Sequence, residues 1–226
     1  MGNIVNFLAI IVGGTLGLIF KKFKKESYTD GIMSGIGICV IIMGIGDAIK
    51  SQNMLVLILS IALGTFLGEV LTIEERLNDF GQFMGRKLQK GSSGGNFAQG
   101  FVTTTLIYCV GAMGILGSIK IGLSGDSSTL FAKSILDGIT AILFASTLGF
   151  GVLFSSVPVF VYQGLIILMA KQLEPFFTDV LITELSAVGG IMIMAIGINI
   201  LNLRKIKVGN MLPALLGPVI YYGFFG

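Results

Sequence analysis

The sequence predicts an all-α integral membrane protein, a polytopic bundle of about eight transmembrane helices in one domain, 1–226. Of its 226 residues, 54% are hydrophobic and 12% are charged, whereas a soluble domain carries about 25% charged residues. Its mean hydropathy is +0.92. The apolar residues are gathered in runs that approach the roughly 20 residues needed to cross a bilayer as a helix. We therefore expect lipid to cover most of the surface.

Eight apolar runs are the predicted membrane spans. Spans five and six meet at 155–158, so they form either a tight hairpin or one broken helix. Glycines are frequent within the runs, and small residues let membrane helices approach closely. The predicted spans are about 4–20, 31–49, 54–73, 98–119, 134–155, 157–171, 184–203 and 208–225.

The basic residues predict the orientation of the chain. Lysine and arginine cluster after spans one, three and seven, and an eight-span chain places these three connections on one side. Cytoplasmic loops carry an excess of lysine and arginine, so that side is predicted to be cytoplasmic, with both termini outside. The clusters are Lys21, Lys22, Lys24 and Lys25; Arg76, Arg86, Lys87 and Lys90; and Arg204, Lys205 and Lys207, with Lys50, Lys120, Lys133 and Lys171 on the opposite side.

The connection 74–97 separates spans one to three (1–73) from spans four to eight (98–226). Its first part alternates charges with apolar residues at helical spacing, which predicts an amphipathic helix on the cytoplasmic membrane surface. A glycine- and serine-rich linker follows at 90–96. The apolar positions are Ile73, Leu77, Phe80, Met84 and Leu88.

A short motif suggests an internal repeat. Asp30-Gly31-Ile32 opens span two and Asp137-Gly138-Ile139 opens span five. Because three spans separate them, the two copies would cross the membrane in opposite directions, as in the inverted repeats of many secondary transporters. In a chain this rich in isoleucine and glycine, a chance match is the alternative.

Polar residues are concentrated between 103 and 164. A charge at the centre of a membrane helix costs about 2.5–3.5 kcal/mol, so such a residue faces a partner or a wet cavity. Lys133 and Asp137 are four residues apart and pair on one helix face. Either the pair fixes the start of span five, or Asp137 is an ion or proton site that Lys133 modulates. Further substrate- or ion-binding candidates are Ser134, Gln163, Asp126, Gly111, Gly117, Ser118 and Thr104.

Several of these residues have a structural interpretation beside the functional one. Asp126 either serves a turn after Gly125 or belongs to a re-entrant loop. Glu69, near the end of span three, either forms a structural pair or takes part in transport. Glu184 is predicted to begin and cap span seven. The glycines either pack helices together or mark a helix that unwinds, at 111–117 or at 149–151.

Some classes of function are disfavoured by what the sequence lacks. There is no histidine, and Cys39 and Cys109 are far apart, so we expect neither a metal site nor a cofactor. The chain has no phosphate-binding Gly-x-x-x-x-Gly-Lys-Ser/Thr motif and no Gly-x-Ser-x-Gly motif. We therefore do not expect an enzyme or an ATP-driven pump. The net charge of +3 reflects topology and does not indicate nucleic acid as a partner.

The chain resembles the bacterial inner-membrane proteins of the domain of unknown function 554 family, the YqgA/YdfK-like proteins. The resemblance covers nearly the whole chain and implies a multi-pass protein of the bacterial plasma membrane, commonly described as a transport protein. It supplies no substrate. The residues that carry it are Gly2-Asn3, Gly13-Gly14, Lys21-Lys22, Cys109-Val110-Gly111-Ala112-Met113, Gly117-Ser118-Ile119, Gly122-Leu123-Ser124-Gly125-Asp126, Lys133-Ser134-Ile135-Leu136-Asp137-Gly138 and Tyr162-Gln163-Gly164.

The leading functional hypothesis is a secondary transporter of a small solute or ion, coupled to protons or sodium through intramembrane carboxylates. A passive channel is one alternative, lined by threonines 103–105 and Ser155 and Ser156. A membrane scaffold or regulatory subunit that docks through 73–88 is another. The expected partners are the lipid bilayer, the transported solute or ion and, given the glycine-lined helix faces, a second copy of the chain.

Overall fold

The structure is a computed structural model that describes residues 1–23, 26–88, 94–109 and 111–225. Within these ranges every regular element is a helix, which confirms the predicted all-α bundle. The helices are α1 (Gly2–Phe23), α2 (Glu26–Ala48), α3 (Met54–Leu71), α4 (Ile73–Leu88), α5 (Gly94–Cys109), α6 (Ala112–Ser124), α7 (Ser128–Leu148), α8 (Gly151–Phe154), α9 (Ser156–Leu168), α10 (Ala170–Leu173), α11 (Asp179–Ile200), the 3-10 helix η1 (Val208–Leu215) and α12 (Leu216–Phe225).

Six helical segments of the described residues are long and apolar enough to cross a membrane. A seventh arises if α5 and α6, which are bent by 61° at their junction, form one span. This pair covers the predicted span four. The predicted eighth span is split between η1 and the ten-residue α12. The six segments are Gly2–Lys21, Gly31–Ala48, Met54–Leu71, Ser128–Leu148, Gly151–Leu168 and Asp179–Ile200.

The boundary between spans five and six differs from the prediction. Helix α7 ends at Leu148, and the segment of α8 and α9 begins at Gly151. Gly149 has a φ of 84°, a left-handed conformation that glycine adopts without steric cost, and its N–H donates to the carbonyl of Ala145. The two spans are therefore separate and meet at residues 149–150 rather than at 155–158.

The described contacts divide the chain into two compact units. Unit 1 comprises Met1–Asp30, Leu77–Cys109 and Met113–Leu173, and unit 2 comprises Gly31–Arg76, Val110–Ala112 and Glu174–Gly226. Each unit combines segments from both halves of the chain, so neither corresponds to the division at 74–97.

In unit 1, α1 and α7 run parallel and pack through glycines. A Cβ at Gly2 would lie 2.9 Å from Cβ of Leu130, and one at Gly13 or Gly17 would overlap a backbone carbonyl of α7, that of Gly138 or Ile142. Contacts this close require the absence of a side chain, as is usual where membrane helices cross tightly. The rising residue numbers on both helices establish their common direction.

The bent pair follows α7 in the opposite direction. A Cβ at Gly100 would lie 3.2 Å from the carbonyl oxygen of Leu148, and one at Gly117 would lie 2.8 Å from Cδ1 of Leu130. Helices α5 and α6 together therefore extend along nearly the whole of α7, as a span does.

In unit 2, α3 packs antiparallel to η1 and α12. Gly64 lies against Ala214, Gly68 against the backbone of Asn210, and Gly217 against Ser60. The segment predicted as span eight thus lies beside a candidate span. Gly44 on α2 similarly meets the backbone of Gly190 on α11. The Gly64–Gly68 spacing is therefore used for packing, as the sequence favours.

A buried carboxylate fastens the start of α3 to α11. Glu184 is fully buried, and it accepts hydrogen bonds from the Ser51 hydroxyl at 2.7 Å and from the backbone N–H groups of Gln52 at 2.6 Å and Asn53 at 3.0 Å. The prediction that Glu184 begins and caps its own helix is wrong, because α11 starts at Asp179. The side chain of Thr178 caps α11, and Glu184 serves the start of another helix.

We expect Glu184→Gln to lower the stability of the folded protein by about 1–3 kcal/mol. The neutral amide removes the negative charge that strengthens the three hydrogen bonds to the 51–53 loop, and hydrogen bonds to charged groups are about twice as strong as neutral ones. Thermal unfolding in detergent measures the loss. Asp179→Asn, an exposed change on the same helix, is the control, and equal melting temperatures for the two variants would contradict the role assigned to Glu184.

Helix α4 confirms the predicted helix at the start of the connection 74–97. Its first turn is held in unit 2, where Glu74 accepts from the Gly209 N–H at 2.6 Å and donates its own N–H to the Asn210 side chain at 2.7 Å. Phe80 is about half exposed, as expected for an amphipathic helix; the side chains of Met84 and Leu88 lie outside the described residues. The predicted linker is shorter than expected, since α5 begins at Gly94.

The two copies of the suggested repeat do not mark equivalent positions. Gly31 lies near the start of α2, whereas Gly138 lies in the middle of α7. The side chain of Asp30 lies outside the described residues. The inverted repeat therefore stays a prediction, without support from this motif.

Candidate functional site

Unit 1 contains a buried ion pair on α7. The Lys133 ammonium lies 2.9 Å from Oδ1 and 2.8 Å from Oδ2 of Asp137. Lys133 is 6% and Asp137 5% exposed. The four-residue spacing brings the side chains together on one helix face, as the sequence predicts.

The ion pair lies deeper in the helix than expected. The sequence placed Asp137 at the start of span five and Lys133 among the basic residues of the outer side. Helix α7 begins at Ser128 and has 21 residues, so Asp137 is close to its midpoint. Lys133 is thus an interior residue and carries no information on topology.

Polar groups from two other helices face this pair. The Asn6 side chain of α1 is directed towards the Asp137 carboxylate, and the Tyr108 ring of α5 has its centroid 6.0 Å from Nζ of Lys133. The Tyr108 hydroxyl faces Thr140, one turn beyond Asp137. The pair is therefore surrounded by hydrogen-bonding groups although it lies inside an apolar bundle.

Several buried polar atoms of unit 1 meet no hydrogen-bond partner among the residues that the structure describes. Both amide atoms of Asn6 and of Gln163 are in this state, as are the Ser118 hydroxyl, the Tyr108 hydroxyl and Oδ1 of Asn3. Asn6, Gln163 and Ser118 are fully buried. Buried polar groups are normally paired, because leaving one unpaired costs about 1–3 kcal/mol.

These side chains come from α7 and from four other helices, α1, α5, α6 and α9, which pack against the N-terminal half of α7 or against one another. Asn3 donates to the Phe160 carbonyl of α9 at 3.2 Å, and Gln163 lies one turn further along that helix. A Cβ at Gly114 of α6 would lie 3.6 Å from Cε of Lys133 and 3.9 Å from the Tyr162 ring. We call the group the polar cluster, and its members are Asn3, Asn6, Tyr108, Ser118, Lys133, Asp137 and Gln163.

Four of the predicted site residues have structural roles. The hydroxyls of Thr104 and Ser134 donate to carbonyls of their own helices, those of Gly100 and Leu130, at 2.7 Å. Gly117 makes room for Leu130. Gly111, with a φ of 118°, lies at the junction of α5 and α6, so the helix is interrupted at the first residue of the predicted range 111–117, whereas 112–117 is helical.

Asp126 lies in the loop between α6 and α7 and is exposed. Its Oδ1 accepts the Ser128 N–H at 2.9 Å, which satisfies a donor at the start of α7. Hydrogen bonds from the Ser128 backbone and side chain lower the pKa of the Asp126 carboxyl below its usual value. These contacts correspond to the turn role.

Glu69 belongs to unit 2 and is not a member of the polar cluster. Its side chain is half exposed near the end of α3, and its Oε2 lies 3.6 Å from Nζ of Lys207, which also lies 3.6 Å from Oε1 of Glu75. Asp47 likewise pairs at 2.7 Å with the exposed Lys50. Both carboxylates therefore have a basic partner close to a helix end.

Sequence reasoning missed Asn3, Asn6 and Tyr108 as members of the cluster. Two amides three residues apart in an otherwise apolar run place both polar groups on one helix face, and this signal was available. Tyr108 carries no such signal, because tyrosine is also enriched at the membrane–water interface, where it belongs to no binding site.

Comparison with known proteins identifies the family. The family model described as "Protein of unknown function (DUF554)" matches residues 1–222. The chain is 37% identical over 223 residues to "Uncharacterized membrane protein YdfK" of Bacillus subtilis, covering 97% of this chain and 94% of that protein. It is 32% identical over 219 residues to "Uncharacterized protein YqgA" of Escherichia coli, covering 96% and 93%. No solved structure matches. The chain therefore belongs to the DUF554 family.

Proposed function

We propose that this protein is a secondary transporter of a small solute or ion, and that the polar cluster of unit 1 is its binding site. The observation that carries the proposal is the Lys133–Asp137 pair near the midpoint of a candidate span, beside unpaired buried amides. Ionisable residues are rare within membrane spans, and those that occur there mark substrate or ion pathways.

Stability gives little reason to keep these charges. Replacing a buried ion pair by apolar residues of similar volume is often neutral or stabilising by about 1–4 kcal/mol. The unpaired atoms of Asn6 and Gln163 add a further cost that a leucine or methionine would avoid. Burying these groups costs free energy in the protein alone. A polar solute that supplies the missing hydrogen-bond partners would offset this cost.

The broken helix fits the same function. Transporter sites near the bilayer midplane are typically formed by discontinuous helices, whose free ends bind ions and polar solutes. Here the last turn of α5 carries Tyr108 and the first turn of α6 carries Gly114, and both flank Lys133. The interruption thus lies at the level of the ion pair.

Asp137 is the group we assign to coupling. It is the one buried carboxylate among the described residues of unit 1, and a carboxylate binds either a proton or a sodium ion. Lys133 would compete with the coupling ion for the Asp137 carboxylate. When the solute enters, Lys133 would release the carboxylate to the ion. The protein acts as a carrier and not as an enzyme, in the cell membrane with both termini outside.

A flux assay tests the proposal. Purified protein is reconstituted in proteoliposomes, and solute-dependent proton or sodium flux is recorded across a panel of amino acids, organic acids and inorganic ions. Asp137→Asn should abolish coupled flux, because the amide cannot take up a proton and lacks the negative charge that would hold a sodium ion. Asp47→Asn, which changes a partly exposed carboxylate of unit 2, should leave the flux unchanged.

The double variant Lys133→Met/Asp137→Asn separates loss of function from loss of fold. It has no unpaired buried charge, and its flux should be as low as that of Asp137→Asn. Coupled flux at the wild-type level in either variant would remove the polar cluster from the mechanism. Non-saturating conductance would instead indicate a channel, and a lack of flux for the entire panel would favour a scaffold.

A further inference from the structure

We propose that the polar cluster binds a small zwitterion, a solute with one carboxylate and one ammonium group such as an amino acid with an uncharged side chain. The inference rests on the proposed function, since it names the substrate class of that site. It is carried by the charge balance of the cluster and by the kinds of hydrogen-bonding atoms that are unpaired there.

The cluster is neutral overall but contains one full charge of each sign. Lys133 and Asp137 are its charged members, and each is more than nine-tenths buried. A solute with a single net charge would leave one uncompensated charge inside the bundle, which is costly in a medium of low dielectric. A zwitterion instead exchanges one ion pair for two, its carboxylate with Lys133 and its ammonium with Asp137.

The unpaired atoms supply both donors and acceptors. Asn6 and Gln163 each present an N–H₂ donor and a carbonyl acceptor without a partner among the described parts of the chain, and Ser118 presents a hydroxyl. An ammonium needs acceptors and a carboxylate needs donors. The cluster can therefore complete the hydrogen bonds of both ends of such a solute.

The placement of these groups gives the solute a direction. The Asn6 side chain faces the Asp137 carboxylate, which is itself the acceptor for the ammonium end of the solute. Gly114 lies against Lys133 in the first turn of α6, where the helix N-terminus favours negative charge. The carboxylate end is thus assigned to Lys133 and α6, and the ammonium end to Asp137 and α1.

An uncharged polar solute fits this arrangement less well. It would use the amides but would gain nothing from the two full charges, whose burial needs a compensating interaction. The charges of the solute are therefore the feature that the experiment has to vary, at constant size.

The test measures binding by thermal shift on the detergent-purified protein, without any need for transport. Amino acids with uncharged side chains are screened first. The best is then compared with its hydroxy acid (an anion), its amino amide (a cation) and its hydroxy amide (uncharged). The zwitterion should raise Tm on the order of 5 °C at saturation, and the three analogues should raise it less.

Two variants should invert the preference. In Asp137→Asn the remaining charge is that of Lys133, so the hydroxy acid should become the best stabiliser. In Lys133→Met the remaining charge is that of Asp137, so the amino amide should become the best stabiliser. If a single variant does not fold, the double variant Lys133→Met/Asp137→Asn takes its place and should lose the zwitterion response.

The possible failures are distinguishable. No Tm shift with any amino acid, an equal response to the uncharged analogue, or an unchanged preference in the variants would overturn the zwitterion assignment. Flux of a singly charged solute that depends on Asp137 would also overturn it, while leaving the transporter proposal intact. Zwitterion binding without coupled flux would remove the transporter and retain the site.

Discussion

Lys133→Met should destabilise the folded protein by about 3–5 kcal/mol, the range found when one partner of a buried ion pair is removed. The variant leaves the Asp137 carboxylate 5% exposed and without its cation. The polar side chain that faces it from α1, Asn6, is a neutral amide that cannot compensate a full charge. The measurement is thermal unfolding in one detergent at constant ionic strength.

The charge-free double variant is the control for this prediction. Lys133→Met/Asp137→Asn removes both charges and keeps the volumes nearly unchanged, so most of the lost stability should return. Contacting residues are not additive, and the cycle of two single variants and one double variant measures their coupling. A double variant that is less stable than Lys133→Met would show that the ion pair itself holds the fold together.

The features that local spacing determines could be predicted from the sequence. Long apolar runs predict membrane helices because lipid leaves no alternative for their backbone groups. The Lys133–Asp137 pair follows from a four-residue spacing. The interrupted helix at Gly111 was indicated by its glycine-rich neighbourhood, because glycine adopts a positive φ without a steric penalty.

The features that depend on contacts between distant parts of the chain could not be predicted from the sequence. Glu184 bonds to residues more than 130 positions away in the sequence, and its own helix carries no sign of these partners. The apolar residues around Glu69 suggested an intramembrane carboxylate. In the structure Glu69 lies near the end of α3 and pairs with Lys207, which is distant in the sequence. Helical periodicity predicts which face of a helix is polar, but it does not predict which other helix packs against that face.

Gly68→Ala should disrupt the junction of α3, α4 and η1 and lower the stability by about 3 kcal/mol or more. A Cβ at Gly68 would overlap the carbonyl group and Cα of Asn210. Overpacking typically costs about 1–3 kcal/mol where side chains can yield, and here the obstacle is backbone. Asn210 cannot retreat freely, because its side chain accepts the Glu74 N–H.

Gly35→Ala is the matched control, since it makes the same change within another candidate span. No atom among the described residues lies within 4 Å of a Cβ at Gly35, and alanine favours a helix more than glycine does. Its Tm should therefore equal or slightly exceed that of the wild type, while that of Gly68→Ala falls on the order of 5–10 °C. A similar Tm for both variants would mean that α3 and η1 are not in backbone contact, and that 208–225 is not packed along α3 as a span.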